Sequence, residues 1–252
     1  MDLSDAAVSV EMFYRRIYWQ APSAITYNTP DYTLTYSGTP WLHSINQLWL
    51  HNPHALNRGL LEAAAAFFKS YRAEYSIVFT EPEPLERAQW LTDSHYSERA
   101  SNPIFGLRGL PRPHYLHREA EIIQATAQHQ TELLNILYGT FFMGPEIGRY
   151  AVRTEHFTDS MIRHYLAYVG NEVAACATVL LNDHIAGIWN VGTLRPFRRQ
   201  GVASALLMRV LTDAAAEGCP NSVLVASTMG RPLYEEMDYR FLGNTLFYGL
   251  SN

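Results

Sequence analysis

The sequence predicts an α/β fold of the α+β type, and three observations carry that prediction. Apolar residues at 202, 206, 207, 210, 211, 214 and 215 make a helical stripe from Val202 to Glu217. His164–Val169 and Val173–Leu181 are β-rich runs joined by Gly170-Asn171-Glu172, which reads as a hairpin. The apolar run Ala186–Val191 then ends in a turn rich in arginine and glycine just before Val202. Strand, tight loop and helix therefore follow one another directly.

The remaining elements fall into two halves. In the first, Phe13–Trp19 is aromatic and basic, and Ile25–Tyr36 alternates as strands do, with Tyr27, Tyr32 and Tyr36 included. Leu60–Tyr71 is a helix unbroken by proline or glycine, and Tyr75–Thr80 is a β-rich run. Glu81-Pro82-Glu83-Pro84 opens a helix over Leu85–Asp93, where prolines suit the first turn. Ile104–Leu110 closes the half as a strand, and Leu110-Pro111-Arg112-Pro113 reads as a linker. The expected domains are thus residues 1–112 and 113–252. In the second half, Ala120–Leu137 has a helical pattern, Phe141–Glu146 reads as a loop and His156–Ile162 as a short helix. After the hairpin and the Val202 helix, which Gly218 stops, come a strand over Ser222–Ala226 and a short helix over Arg231–Met237.

Composition narrows the function. The chain has 252 residues, 48% of them hydrophobic, which is enough for a sizeable core and argues against disorder. The net charge is −5 with no dense Lys/Arg stripe, so nothing supports a nucleic-acid partner. The N-terminus lacks a basic segment followed by an apolar one. The apolar runs Ala63–Phe68 and Val173–Leu181 fall far short of a membrane span, so no membrane role and a cytoplasmic setting are expected. Cys176 and Cys219 are the only cysteines, which makes a disulfide framework improbable. No His/Cys/Asp cluster has metal-ligand spacing and no Gly-x-Ser-x-Gly nucleophile motif occurs.

The chemistry concentrates in Val191-Gly192-Thr193-Leu194 and the loop that follows. A helix start offers unpaired N–H groups and a positive dipole end, which suit an anion such as a pyrophosphate. Gly201 admits close backbone approach, and Arg198 and Arg199 add charge beside it. The order Arg198-x-x-Gly201-x-Ala203, with Pro196 two residues upstream, resembles the acyl-coenzyme A signature of the GNAT superfamily of N-acetyltransferases. Ser227-Thr-Met-Gly-Arg-Pro-Leu-Tyr234-Glu-Glu-Met-Asp-Tyr239 resembles the family's second stretch, Asn-x-x-Ala-x-x-Leu-Tyr-Glu-x-x-Gly-Phe.

The resemblance implies a GNAT fold with a mixed, mostly antiparallel sheet, opening at the strand that ends in Val191. It implies acetyl-CoA as cosubstrate, held by Val191, Gly192, Thr193, Leu194, Arg198, Arg199, Gln200, Gly201, Val202, Ala203, Ser204 and Ser227. Backbone N–H groups among Val191, Thr193 and Leu194 are expected to hold the acetyl carbonyl in an oxyanion-type site, with a β-bulge at Gly192 as the plainer reading of that glycine. Tyr234 is implied as the acid that protonates the departing thiolate. Ser227 stands where the family has Asn, Gly230 where it has Ala, and Asp238 where it has Gly. The order of elements in the first half is similar to the second but lacks the glycine-rich loop between Trp49 and Gly59, so that half reads as a degenerate GNAT-like repeat.

The expected function is acetyl transfer to a primary amine of a small molecule or peptide, without a covalent enzyme intermediate. Candidates for the base are Glu146, Glu155, His156, Asp159, Asp183 and His184. Phe141, Phe142 and Met143 are candidates to flank the acceptor, and Trp41, Asn46 and Trp49 weaker ones. The alternatives are a non-catalytic acyl-CoA-binding or interaction protein on the same scaffold, and a different acyl group. Monomer and homodimer are both compatible with the sequence.

Overall fold

The computed structural model describes residues 2–80, 85–112, 116–117, 119–141 and 144–251. In chain order its elements are α1 (Leu3–Tyr14), β1 (Ile25–Asn28), β2 (Tyr32–Tyr36), β3 (Gln47–Leu50), α2 (Arg58–Ser70), β4 (Ser76–Phe79), α3 (Leu85–Asp93), β5 (Tyr96–Arg108) and β6 (Ala120–Gln124). They continue with α4 (Gln130–Phe141), α5 (Pro145–Ala151), β7 (Ile162–Val169), β8 (Glu172–Asn182), β9 (Ile185–Thr193), α6 (Val202–Ala216), β10 (Asn221–Val225), α7 (Arg231–Glu236) and β11 (Arg240–Leu250).

Two compact units arise, and neither is one continuous stretch of chain. One comprises Met1–Phe13 and Ile104–Leu242, the other Tyr14–Pro103 and Gly243–Asn252. In the first unit the strands are ordered β5-β10-β9-β8-β7-β6. Only β9 and β10 are parallel; their neighbours pair antiparallel. A parallel pair needs a crossover, and α6 supplies it. The second unit is ordered β1-β2-β3-β4-β11, with β3 and β4 the parallel pair and α2 their crossover. The same plan thus occurs twice, in line with a degenerate repeat.

The crossover helices bury the stripes read from the sequence. On α6, Val202, Leu206, Leu207, Val210, Leu211 and Ala214 pack on Tyr165, Ala177, Ile188 and Leu224. On α2, Leu61, Ala64 and Phe68 pack on Leu48, Ile77 and Phe79. Each such Leu contributes roughly 1.5–3 kcal/mol by leaving water. The opposite face of the first unit's sheet is covered by Leu133, Ile136 and Leu137 of α4 over Leu166 and Cys176. Cys176 is 1% exposed, and burial pushes its thiol up to about 12, as fits a small core residue.

Several elements differ from the expectation. Ala120–Leu137 is not one helix: Ala120–Gln124 pairs with β7 as a strand, and α4 begins only at Gln130. Between them Thr126 and His129 exchange bonds that start a helix afresh, the His129 ring nitrogen meeting the Thr126 N–H at 3.1 Å. No helix runs over His156–Ile162: the short second helix is α5, upstream at Pro145–Ala151, and a single 3-10 turn over Thr154–Phe157 leads to the start of β7 at Ile162. Phe141 closes α4 and is not in a loop. Glu81–Pro84, Pro113, Phe142 and Met143 lie outside the described residues.

Asn46 has a structural role in its own unit. Its Oδ1 accepts from the Ser37 N–H and hydroxyl, both at 2.8 Å, and its Nδ2 donates to the carbonyls of Thr39 at 2.9 Å and Glu74 at 3.0 Å. It is fully buried, so truncation strands several polar groups without water. Asn46→Ala is expected to lower stability by about 3 kcal/mol or more, read as a shifted urea midpoint. Trp49 is a core residue at 1% exposure, whereas Trp41 is 62% exposed.

Candidate functional site

The parallel pair comes apart at one end. β9 and β10 are in register from Ile185↔Asn221 to Ile188↔Leu224. Beyond that point Val225 pairs with Ile104 of β5, while β9 continues against β8 as far as Thr193↔Ala175. A gap therefore opens beside Trp189–Thr193.

The backbone along this gap is irregular in one place. Thr178 faces Trp189 and Cys176 faces Gly192, so Asn190 and Val191 together oppose Ala177. The extra residue is a bulge, and Asn190 carries the left-handed φ of 54°. The bulge expected at Gly192 thus lies just upstream. Gly192 is small for a different reason: a Cβ there would sit 2.6 Å from Thr140 Oγ1 and 3.1 Å from Phe141 Cε2, where α4 presses on β9. That contact brings Phe141 to the opened end of the strand. The Leu194 N–H donates to Ala174 O at 2.9 Å, which removes it from the expected carbonyl donors. Alternation along the strand then turns the Thr193 N–H away from β8, into the gap.

The loop after β9 is held by its own side chains. Arg198 Nε donates to Thr193 O at 2.8 Å, and Gln200 Nε2 donates to Pro196 O at 2.7 Å. Arg199 and Gly201 both have left-handed backbones, φ 61° and 77°. No side chain caps α6 at Gly201, and its first helical bond runs from Ala205 N to Gly201 O at 3.0 Å. The N–H groups of Val202, Ala203 and Ser204 precede that bond and point out of the helix end, with Arg198 and Arg199 beside them. The Val202 side chain itself is core, at 1% exposure. In the other unit the counterpart is closed, because Asn57 Oδ1 accepts from Leu60 N at 3.0 Å and caps α2.

Tyr234 on α7 is 6% exposed, its ring edge-on to Tyr239 at 5.8 Å. Burial raises its phenol to about 12, so it stays protonated. Among the described residues none hydrogen-bonds its hydroxyl. The Ser227 hydroxyl accepts from Gly230 N at 3.1 Å and closes the turn into α7. A Cβ on Gly230 would lie 3.0 Å from Tyr234 Cε2, which explains glycine at that position. Asp238 takes φ 65°, the conformation a glycine otherwise supplies.

The base candidates scatter. Asp183 and His184 occupy the turn at the far end of β9, roughly 30 Å from Thr193 at ~3.3 Å per residue. They line a cleft with Ser4, Asp5 and Val8 of α1. His156 is 2% exposed and accepts from Arg153 Nε at 3.0 Å. Burial, then the Arg153 charge and His164, push its imidazole down to about 3. Asp159 Oδ1 accepts from Met161 N at 2.8 Å, and Glu146 and Glu155 are exposed. Asn190 and Met229 were not singled out by sequence. Met229 is 71% exposed, with its sulfur 3.7 Å from Arg198 Nη1. Asparagine inside a strand, just ahead of a glycine-bearing turn, was the available sign of a left-handed residue. No group of three His, Cys, Asp or Glu among the described residues is placed to hold a metal, and no described helix is long and apolar enough to cross a membrane.

A mixed sheet whose single parallel pair parts beside an uncapped helix end is the scaffold of GNAT acyltransferases. Residues 131–239 match the model of the Acetyltransferase (GNAT) family. The fold as a whole is similar to a GCN5-related N-acetyltransferase from Kribbella flavida, with TM-score 0.73, 15% identity, and 99% of this chain and 96% of that one covered. It is also similar to a functionally unknown conserved protein from Staphylococcus epidermidis, with TM-score 0.66, 15% identity and coverage of 98% and 100%. A tandem GNAT protein from the clavulanic acid biosynthesis pathway aligns with TM-score 0.64 and 12% identity over 95% of this chain and 86% of that one. No curated protein matches the sequence.

Proposed function

We propose that this chain is a cytoplasmic N-acetyltransferase that moves an acetyl group from acetyl-CoA directly to a primary amine of a small molecule or peptide. The observation that carries the reading is the uncapped, arginine-flanked start of α6 next to the gap where β9 leaves β10. The residues fit the cosubstrate. The N–H groups of Val202, Ala203 and Ser204 suit a pyrophosphate, with Arg198, Arg199 and Gln200 around it and Gly201 giving access. The gap suits an extended arm, and Ser227 borders its far side. The thioester brings an activated acyl carbon.

This chain's own groups then have defined tasks. The Thr193 N–H, with Val191 beside the bulge, holds the carbonyl oxygen. The amine nitrogen forms the new bond to carbon as the carbon–sulfur bond breaks. The amine's proton leaves to water, and the Tyr234 hydroxyl donates one to the sulfur and recovers it from solvent. Phe141 borders the acceptor. The unit of Met1–Phe13 and Ile104–Leu242, which takes in most of residues 113–252, is the proposed catalytic one, and the unit of Tyr14–Pro103 and Gly243–Asn252 the repeat without a cosubstrate site. The net charge of −5 favours cationic acceptors.

Calorimetric titration with acetyl-CoA and with CoA tests the reading: one site per chain at micromolar affinity is expected, and no binding of either refutes it. Tyr234→Phe is expected to lower turnover roughly 10²–10⁴-fold while leaving acetyl-CoA affinity unchanged; unchanged turnover removes the acid role. The distance of Asp183 and His184 from the gap favours a second reading, a non-catalytic acyl-CoA-binding protein. That reading requires binding without transfer across an amine panel.

A further inference from the structure

The bulge that shapes the gap is tied to a buried polar string. Asn190 Nδ2 donates to Thr178 Oγ1 at 3.3 Å, and the same oxygen is 2.9 Å from His164 Nδ1. These residues sit on three adjacent strands, with His164 directly opposite Thr178 and Thr178 directly opposite Trp189. The Asn190 carbonyl is held as well, accepting from Cys176 Sγ at 3.3 Å. His164 and Thr178 are 1% and 2% exposed, and the His164 ring is covered by those of Phe157 at 5.2 Å and His156 at 5.8 Å. His164 Nε2 is buried with no partner among the described residues, so the ring's one polar tie is the one that leads to the bulge.

A left-handed backbone at a residue other than glycine persists only where its surroundings fix it. Here both ends of Asn190 are fixed, the side chain by Thr178 and the carbonyl by Cys176. The consequence lies downstream. A strand alternates its N–H directions, so flattening a bulge into regular pairing slips the register by one and flips every later group to the other edge. Without the bulge the Thr193 N–H would turn from the gap towards β8.

We propose that Asn190, Thr178 and His164 are positioning residues that hold this bulge and so set the preference of the site for an acyl thioester over the free thiol. None of them needs to touch the cosubstrate. The inference rests on the gap being the acyl-CoA site. It assigns the polar string to one function, aiming a backbone N–H at the carbonyl oxygen that acetyl-CoA has and CoA lacks.

Titrations of acetyl-CoA and CoA into wild type, Thr178→Val and Thr178→Ser provide the test. Valine keeps the shape and removes the oxygen that both neighbours use. Thr178→Val is expected to keep its CoA affinity within about twofold and to lose roughly 5–10-fold in acetyl-CoA affinity, the weight of one hydrogen bond. Thr178→Ser, which keeps the hydroxyl, is expected to restore the wild-type ratio of the two affinities. A merely structural role would move both ligands together. An unchanged ratio in Thr178→Val, or an equal loss for both ligands in a folded protein, overturns the proposal. Should Thr178→Val fail to fold, Asn190→Gly takes its place; glycine accepts the left-handed backbone but cuts the string, and the ratio must fall there too. Wild-type protein that binds neither ligand refutes the acyl-CoA reading itself, a result distinct from either of those.

Discussion

Gly201→Val is expected to abolish tight binding of acetyl-CoA and CoA alike while the protein still folds. Gly201 has φ 77° and directly precedes α6. A left-handed backbone costs an ordinary L-residue roughly 1–2 kcal/mol, and branching at Cβ makes valine among the least tolerant. Relief requires the turn to rotate towards negative φ, which re-aims the N–H groups of Val202, Ala203 and Ser204. Several charge-assisted hydrogen bonds weaken together, each worth roughly 1.5–3 kcal/mol, so affinity falls by on the order of 100-fold or more. The fold should survive because the buried stripe of α6, from Leu206 to Ala214, is untouched. Calorimetry and a thermal melt separate the two effects. Wild-type affinity in Gly201→Val would sink the assignment of the loop as a pyrophosphate cradle.

The prediction can be stated from sequence because what it needs is local. The left-handed glycine, the flanking arginines and the helical stripe all lie within one strand–turn–helix unit, and the β7/β8 hairpin is set by its own Gly170 turn. What escaped reading depends on distant partners. Ala120–Gln124 has too few residues to show a period, and becomes a strand by pairing with β7 some forty positions on. β11 and the first turns of α1 have no turn chemistry to announce them. The discontinuity of the two units was invisible for the same reason, since β5 and β11 each pass from one unit to the other. At the site, the sequence marked Gly192 as special but not why; its small size answers to Thr140 and Phe141, and the bulge belongs to Asn190. Asp183 and His184 were plausible bases only until β9 was seen to separate them from Thr193.

The same repeat logic explains why one site per chain is the expectation. β3, the Pro53–Ala55 turn, α2 and β4 repeat the order of β9, the Arg195–Phe197 turn, α6 and β10. Only one of the two helix ends is open, because Asn57 satisfies the start of α2 with its own side chain. At that start the arginine present, Arg58, pairs with Glu62 at 2.9 Å, and the Asn57 side chain takes up one of the donors.

Mild acid is expected to destabilise this protein well above the range where carboxylates titrate. His156 and His164 are both buried, and their imidazoles are pushed down to about 3 and about 4. Desolvation is the leading cause for both; for His156 the Arg153 charge and His164 add to it, and a bond at Ala151 opposes it. The unfolded chain takes up these protons near the ordinary histidine value of about 6.5, the folded chain only further down. As pH falls below about 6.5 the unfolded state therefore binds more protons than the folded one. The stability these rings contribute is complete above that value and drains away between it and about 4. At pH 5 the loss is about 2 kcal/mol per ring, or roughly 4 kcal/mol for the pair, a large share of a typical folding free energy. Urea unfolding at pH 7.5 and pH 5.0 measures it. His156→Phe keeps a ring beside His164 and removes one titration, so its stability should fall by roughly half as much between the two pH values. A loss of the wild-type size in His156→Phe, or no loss in wild type, would show that the two rings take up protons in the folded state as readily as in the unfolded one.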